Sequence, residues 1–327
     1  MTARITRRTL LAGVAAAGAS AATRASAQSY PNRPIKLIVP FPPGGPIDTM
    51  SRLAAQHITT GLGQQVVVEN RPGAGSTIGF KAAASSPPDG YTLFFGSSGS
   101  LAVAPSLYVN AGLDPVKMFA PIASFALLPH VMVVPETVPA TNVAEFVAYA
   151  KANPGKLNYG AGLGTPPHLL SALFANKAGI DVTYVPYQGA AQSVTDLMAG
   201  RNHYTIDGTV ILMPHIRSGK FRPIGFGRSE RWHELPNVAT LPEQGFPDFT
   251  LDAWTGVVAP AGTPEPILTR LNAAINAGLS SPETKAALDR FSSVARIGSP
   301  QDFGAFVADQ GRRWGALVKL TGAKIEG

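Results

Sequence analysis

The feature that most constrains this chain is an alternation of short apolar runs with helix-period stretches, sustained from residue 35 almost to the end. Ile35–Val39 is a five-residue apolar run stopped by Pro40. It reads as a buried strand, too short for a buried helix and bounded by a breaker. Over residues 48–62, Met50, Leu53, Ala54 and Ile58 recur at helical spacing, and Gly61 and Gly63 close the stretch. Residues 65–69 predict a second strand. Gly73-Ala74-Gly75 turns into another helix that ends before Pro87-Pro88-Asp89-Gly90, and residues 91–95 predict a third strand. Strands separated by helices in this way pair parallel, with the helices covering the sheet faces.

The alternation resumes downstream. Strands are predicted at 130–134, 156–159, 181–185, 204–207, 223–226 and 254–259, and helices at 143–152, 166–178 and 190–198. Helices at 265–279, 282–291 and 300–320 close the chain. Its 327 residues suit two domains of ordinary size. With 45% hydrophobic and 14% charged residues the chain has a real core and not the composition of disorder. The absence of cysteine excludes disulfide scaffolds, iron–sulfur clusters, thiolate metal sites and cysteine nucleophiles.

Residues 1–27 read as an export signal. Arg4, Arg7, Arg8 and Arg24 come with no acid, an Ala-rich apolar stretch covers 10–22, and Ala25-Ser26-Ala27 has the A-x-A form of a cleavage site. Thr6-Arg7-Arg8-Thr9-Leu10-Leu11 resembles a twin-arginine signal, with a Sec signal as the alternative. The apolar stretch is too short to cross roughly 30 Å of hydrocarbon. Four of the 27 basic residues lie here, which leaves 23 against 20 acidic and a net charge of +3. No basic cluster is interleaved with aromatics, so nucleic acid is not an expected partner.

Five glycine-bearing turns fall between strand ends and helix starts: 42–45, 72–75, 96–100, 160–165 and 188–189. Glycine lets a ligand approach the backbone closely. The first turn of a helix leaves N–H groups unpaired, and its dipole adds partial positive charge, so such a turn is an anion site without lysine or arginine. In an open parallel sheet these turns lie at the carboxyl ends of the strands, where ligands bind. Any single turn has the plainer reading that α/β loops need glycine; five together point to anion binding. Catalytic motifs fail when tested. Gly96-Ser97-Ser98-Gly99-Ser100 is not a nucleophile elbow, no P-loop occurs, and Gly73, Gly75 and Gly79 form only an imperfect dinucleotide fingerprint. The six histidines lack metal-ligand spacing and read as structural, with His168, one turn past Thr165, worth separate attention.

From end to end, residues 28–327 resemble the periplasmic solute receptors of tripartite tricarboxylate transporters, the Bug-type receptors. The stretches that carry the resemblance include Val39-Pro40-Phe41-Pro42-Pro43-Gly44-Gly45 with Asp48, and Glu69-Asn70-Arg71-Pro72-Gly73-Ala74-Gly75. Pro88-Asp89-Gly90-Tyr91-Thr92-Leu93, Val185-Pro186-Tyr187-Gln188-Gly189 and Ala259-Pro260-Ala261-Gly262-Thr263-Pro264 belong to the same ordered set. The resemblance implies an α/β, two-lobed periplasmic-binding-protein (Venus flytrap) fold, each lobe a mostly parallel sheet flanked by helices. It implies a first domain from residues 28–128 and 252–327 and a second from 129–251, with crossings near Pro129 and Leu251. It implies a monomeric receptor for a small organic anion, a di- or tricarboxylate or an aromatic acid, that works with membrane permease subunits in the periplasm. No catalysis, cofactor or metal is implied.

Carried over by position, the resemblance implies ligand contacts at Phe41, Gly45, Asp48, Ser97 and Ser98 on one lobe and at Gly162, Thr165, His168 and Asp207 on the other. Asp48 is equally a helix cap, Phe41 is equally core, and the serines are equally turn-satisfying. Asp207 ends an apolar strand and would repel a carboxylate placed against it. The sequence departs from the family pattern at Gly160-Ala161, where relatives often carry serine, at Pro166-Pro167, and at His203-Tyr204. Lost hydroxyls there put dicarboxylate specificity in question and leave an aromatic or less polar acid open. An exported nucleotide-dependent oxidoreductase and a ligand-sensing partner of a membrane sensor are the alternative readings.

Overall fold

A computed structural model describes residues 30–326, so the export-signal reading of residues 1–27 falls outside the described part. The chain runs β1 (Ile35–Val39), α1 (Pro46–Leu62), β2 (Val66–Asn70), α2 (Thr77–Ala84), β3 (Thr92–Ser97), α3 (Ala104–Leu107), α4 (Pro115–Met118) and β4 (Phe119–Leu128). It continues through β5 (His130–Pro135), α5 (Val143–Ala152), β6 (Leu157–Ala161), α6 (Pro166–Ala178), β7 (Val182–Pro186), α7 (Ala190–Met198), β8 (Thr205–Gly208), α8 (Thr209–Arg217) and β9 (Phe221–Phe226). It ends with β10 (Ala253–Pro260), α9 (Glu265–Leu279), α10 (Pro282–Asp289), β11 (Val294–Ala295) and α11 (Pro300–Thr321).

The strands build two lobes of one plan. The first sheet has the order β11-β4-β10-β3-β1-β2. In the second lobe β7-β6 and β8-β5-β9 are joined by a parallel bridge between Tyr159 and Tyr204, giving β7-β6-β8-β5-β9. In both, the half built from strand–helix–strand units is parallel: β2-β1-β3 in one lobe, β7-β6-β8 in the other. The other half is antiparallel, because there the chain leaves one sheet for the other and comes back: β10 against β3 and β4, and β5 against β8 and β9. Only Pro129 separates β4 from β5.

Burial on both faces accounts for the composition of the central strands. Ile35, Leu37 and Val39 pack with Met50, Ala54 and Ile58 of α1 and with Leu271 and Ile275 of α9. Ile38 points the other way, into a core with Phe80, Phe94, Phe119, Phe303 and Trp314. Each such side chain contributes about 1.5–3 kcal/mol by leaving water. The second core continues into Phe146, Phe174 and Tyr204, so the lobes share apolar packing through the Leu101–Leu107 stretch and α11.

Five elements have no counterpart in the sequence reading: the short α3, α4 and β11, and the longer β4 and α8. β4 contains Pro121, which disqualifies a central strand by pattern. Its missing N–H falls where β4 has only β10 as a neighbour, since β11 reaches no further than Ala126 and Leu127. α8 carries Pro214 in its interior, which masks its helical period.

An anion-competent cleft between the lobes

Helix starts and strand ends from both lobes meet around a cavity of about 420 Å3. Three of the five glycine turns line it with their own residues, and the first, 42–45, only through its flanks. Phe41, Pro46 and Ile47 come from the turn after β1, and Ser97–Gly99 from the turn after β3. Gly162 and Thr165 follow β6, and Gln188, Gly189 and Ala190 follow β7. A turn not singled out by sequence, Gly208 to Ile211 after β8, completes the ring. The fifth glycine turn, 72–75, does not line the cavity. Gly75 sits there at φ +59°, where a Cβ would lie 1.9 Å from the Tyr108 hydroxyl, so its glycine is required by packing.

The helices that open onto the cavity start without a side-chain cap. Gly45, Thr165, Gly189 and Gly208 stand at the N-caps of α1, α6, α7 and α8, and none bonds its helix through a side chain. By contrast Asn142, Ser281 and Ser299 cap α5, α10 and α11 with their own oxygens. α9 also starts uncapped, at exposed Pro264, and α2 and α3 start uncapped as continuations of preceding helical turns. Uncapped ends enclosed between lobes leave N–H donors and partial positive charge for a guest; at α8 the first two, Gly208 N and Thr209 N, are already taken by Asp207 Oδ1 and Pro129 O. Proline at positions 46, 166 and 167 removes three donors from this ring. None of the lining residues is lysine or arginine.

Of the nine expected contact residues, Phe41, Ser97, Ser98, Gly162, Thr165 and Asp207 line the cavity. Gly45, Asp48 and His168 stand behind it. Asp48 is buried, and its carboxylate is occupied: Oδ2 accepts from Gly44 N at 2.9 Å and Arg52 Nε at 2.9 Å, and Oδ1 from Asn70 Nδ2 at 2.8 Å. Asn70 also donates to Phe41 O at 3.0 Å, so the three side chains brace the first turn. Burial raises the Asp48 pKa, but the bonds from Arg52, Asn70 and Gly44 outweigh it and hold the carboxyl below its ordinary value. The helix starts at Pro46 with Gly45 at its N-cap, so Asp48 stands inside the first turn and is not the cap; its carboxylate braces the turn from there.

His168 has a parallel task on the other lobe. Its Nδ1 accepts from Gly164 N at 3.1 Å, which places the ring proton on Nε2. The ring stacks on Tyr184 at 4.1 Å between centroids, and Tyr184 donates its hydroxyl to Ala161 O at 3.0 Å. Burial lowers the His168 pKa and keeps the ring neutral, as an acceptor must be. Thr165 Oγ1 donates to Gly162 O at 2.7 Å and Ser193 Oγ to Gly160 O at 2.7 Å, which fixes the rest of this loop. Gly160 stands where a Cβ would meet the Tyr187 ring at 2.3 Å, so the absence of serine there follows from the packing of Tyr187.

Asp207 is the one carboxyl among the lining residues. Its Oδ1 accepts from Gly208 N at 2.6 Å. Burial pushes its pKa up to about 7, against the lowering effect of that bond. Sequence reasoning passed over His130 and Trp254, which line the cavity at the two chain crossings. His130 Nδ1 donates to Leu251 O at 2.9 Å, and burial pushes its pKa down to about 4. Neither residue carries a local signal, because each owes its place to the crossing of β5 and β10 between lobes.

The chain matches the family described as "Tripartite tricarboxylate transporter family receptor" over residues 50–323. It is 37% identical to protein BugT of Bordetella pertussis over 324 residues, 98% of this chain and 99% of that one. A Rhodopseudomonas palustris protein solved with adipate superposes with a TM-score of 0.77 at 35% identity, covering 90% of this chain and 98% of that one. MatC of the same organism, solved with bound malate, gives 0.74 at 32% identity, with 88% and 100% covered. Proteins of this kind are solute-binding receptors and not enzymes, which removes the oxidoreductase alternative. No helix among the described residues is long and apolar enough to cross a membrane. The uncapped helix ends, the two-lobed plan and these likenesses agree: the chain belongs to the receptor family of the tripartite tricarboxylate transporters.

Proposed function

We propose that this chain is a monomeric extracytoplasmic receptor that captures a small carboxylate between its lobes and presents it to the permease subunits of a tripartite transporter. The observation that carries the reading is the ring of uncapped helix starts drawn from both lobes around one cavity. A carboxylate held by main-chain N–H groups on both sides lowers the energy of the closed form relative to the open one, which is how a ligand biases a hinge. The lobes in this reading are residues 28–128 with 252–327, and 129–251. The hinge is Pro129 and the segment that enters β10. Phe41, Ser97, Ser98, Gly162, Thr165 and Asp207 contact the ligand, while Gly45, Asp48 and His168 hold the turns in position. A thermal-shift and calorimetric screen of mono-, di- and tricarboxylates tests it, with the stabilisation growing with ligand concentration. A flat response across the panel, with no acid copurifying by mass spectrometry, refutes it.

A further inference from the structure

Asp207 crowds the start of α8. Its Oδ1 accepts from Gly208 N at 2.6 Å, and Thr209 N is bonded to Pro129 O at 2.9 Å. That leaves Val210 N and Ile211 N as the free donors of this helix start, and both residues line the cavity. A guest carboxylate drawn to them comes up beside the Asp207 carboxyl. Asp207 Oδ2 has no hydrogen-bond partner among the described residues and, unlike the orphaned Oδ1 of Asp252, is not walled in. We propose that the guest carboxylate binds at the start of α8 against a protonated Asp207, whose Oδ2–H donates to it, so that capture takes up one proton from solvent. This rests on the carboxylate-receptor reading and adds the protonation state in which the site binds.

Two carboxylates at one place in a closed cleft do not both stay ionised; they share a proton. Asp207 is 8% exposed and has no ionic partner to hold its charge. Burial already pushes its pKa up to about 7, well above an ordinary carboxylic acid. The proton therefore resides on Asp207, and the guest keeps its charge for the helix start. The bond between them is charge-assisted. Titratable groups on the surrounding elements are otherwise engaged. On β5, beside β8, burial pushes the pKa of His130 down to about 4, and burial lowers that of His168 on α6. Tyr159 on β6 and Tyr204 ahead of β8 are raised and stay neutral phenols. Asp196 on α7 is bound to Tyr187 and Arg201, and His215 and Arg217 stand in the last turn of α8, away from its start. From the other lobe, Asp48 is bound by Arg52, and Asp252, at the entry to β10, is drawn to Arg228 and does not line the cavity.

The test counts protons. Malate, adipate and benzoate, with any further acid the screen returns, are titrated calorimetrically in phosphate and in Tris, buffers of small and large ionisation enthalpy. The difference in observed heat between the two gives the protons taken up per acid bound. These probes are ionised above about pH 6.5, so the uptake belongs to the protein. With the neighbouring anion raising Asp207 by about two further pKa units, uptake should grow from about 0.2 near pH 6.5 to about 0.8 near pH 8. Affinity should fall by about eightfold over the same interval. Asp207→Asn has no proton to gain, so its uptake should drop below about 0.2 near pH 8 and its affinity should change by less than about twofold between the two pH values. The readout is this slope, not the affinity at one pH. Asp252→Asn should keep the uptake of the wild type. Binding by the wild type with no uptake, or with proton release, overturns the inference on its own, whatever the variants do; an ionised Asp207 receiving a hydroxyl or ammonium of the guest would give that result. Uptake kept by Asp207→Asn also overturns it. All of these outcomes leave the carboxylate reading standing, whereas failure of every acid in the panel to bind overturns both.

Discussion

Replacing Asp207 by asparagine should stabilise the folded protein, and by an amount that depends on pH. Asparagine keeps an oxygen for the Gly208 N–H and removes only the charge. The folded-state pKa of Asp207 is raised to about 7 from an ordinary 3.8, chiefly by burial. The folded state therefore holds a proton that the unfolded chain releases. The resulting penalty is absent below the unfolded pKa, builds as pH rises and is complete above about 7. At about 1.36 kcal/mol per pKa unit the full penalty is about 4 kcal/mol. Between about pH 5 and pH 8 the advantage of the variant should grow by about 2.5 kcal/mol. With an unfolding entropy near 2.1 cal/mol/K per residue over about 300 residues, that is a Tm difference widening by about 4 °C. The neighbouring His130 is neutral throughout this range and supplies no countercharge, and Asp252, raised to about 6 by burial, is common to both proteins and cancels in the difference. Scanning calorimetry of ligand-free wild type and variant at both pH values reads it directly. An advantage equal at the two values would show that Asp207 is not buried as a charge.

Other consequences are equally open to measurement. Gly75→Ala should destabilise by about 1–3 kcal/mol in urea unfolding, because its φ of +59° and the Tyr108 ring both oppose a Cβ, while ligand affinity stays unchanged. His168→Leu removes the acceptor of Gly164 N–H at the cavity rim; the same assay should show a loss of about 1–2 kcal/mol, and calorimetry a weaker affinity for the bound acid. With no lysine or arginine in the lining, raising NaCl from about 0.05 to 0.5 M should change the acid's affinity by less than about threefold. A steep fall would mean that a charged side chain enters the site.

How much of this could be read beforehand depends on whether the cause was local. Helix starts at Asn142, Thr165 and Gly189 and stops at Asn153 and Gly179 were legible, because capping chemistry and glycine punctuation act within a few residues. The parallel halves of both sheets were legible for the same reason: strand–helix–strand spacing leaves no other pairing. β4 was not, since the tolerance of Pro121 depends on which partner lies beside it, a fact held by residues 253–260 and 294–295. Among site residues the split is similar. Phe41, Ser97 and Thr165 stand at strand–helix turns and came from the family resemblance, position by position. Asp48 was ambiguous, because the distinction between brace and contact rests on Asn70, twenty-two residues away. His130 and Trp254 were invisible, since a strand end becomes a cavity wall only when the chain crosses between lobes.

That division bears on what Asp207 is for. A buried carboxyl without an ionic partner is costly to a fold, and here the same shape and the same bond to Gly208 could be had from asparagine without the charge. Asp48, also buried near the cleft, avoids that cost by binding Arg52 and Asn70, while Asp252 is raised to about 6 by burial; neither lines the cavity. Of these three acids Asp207 alone lines the cavity, and it has no ionic partner. A perturbed group in a cleft, next to a braced one behind it, is the pattern expected where charge serves recognition instead of stability.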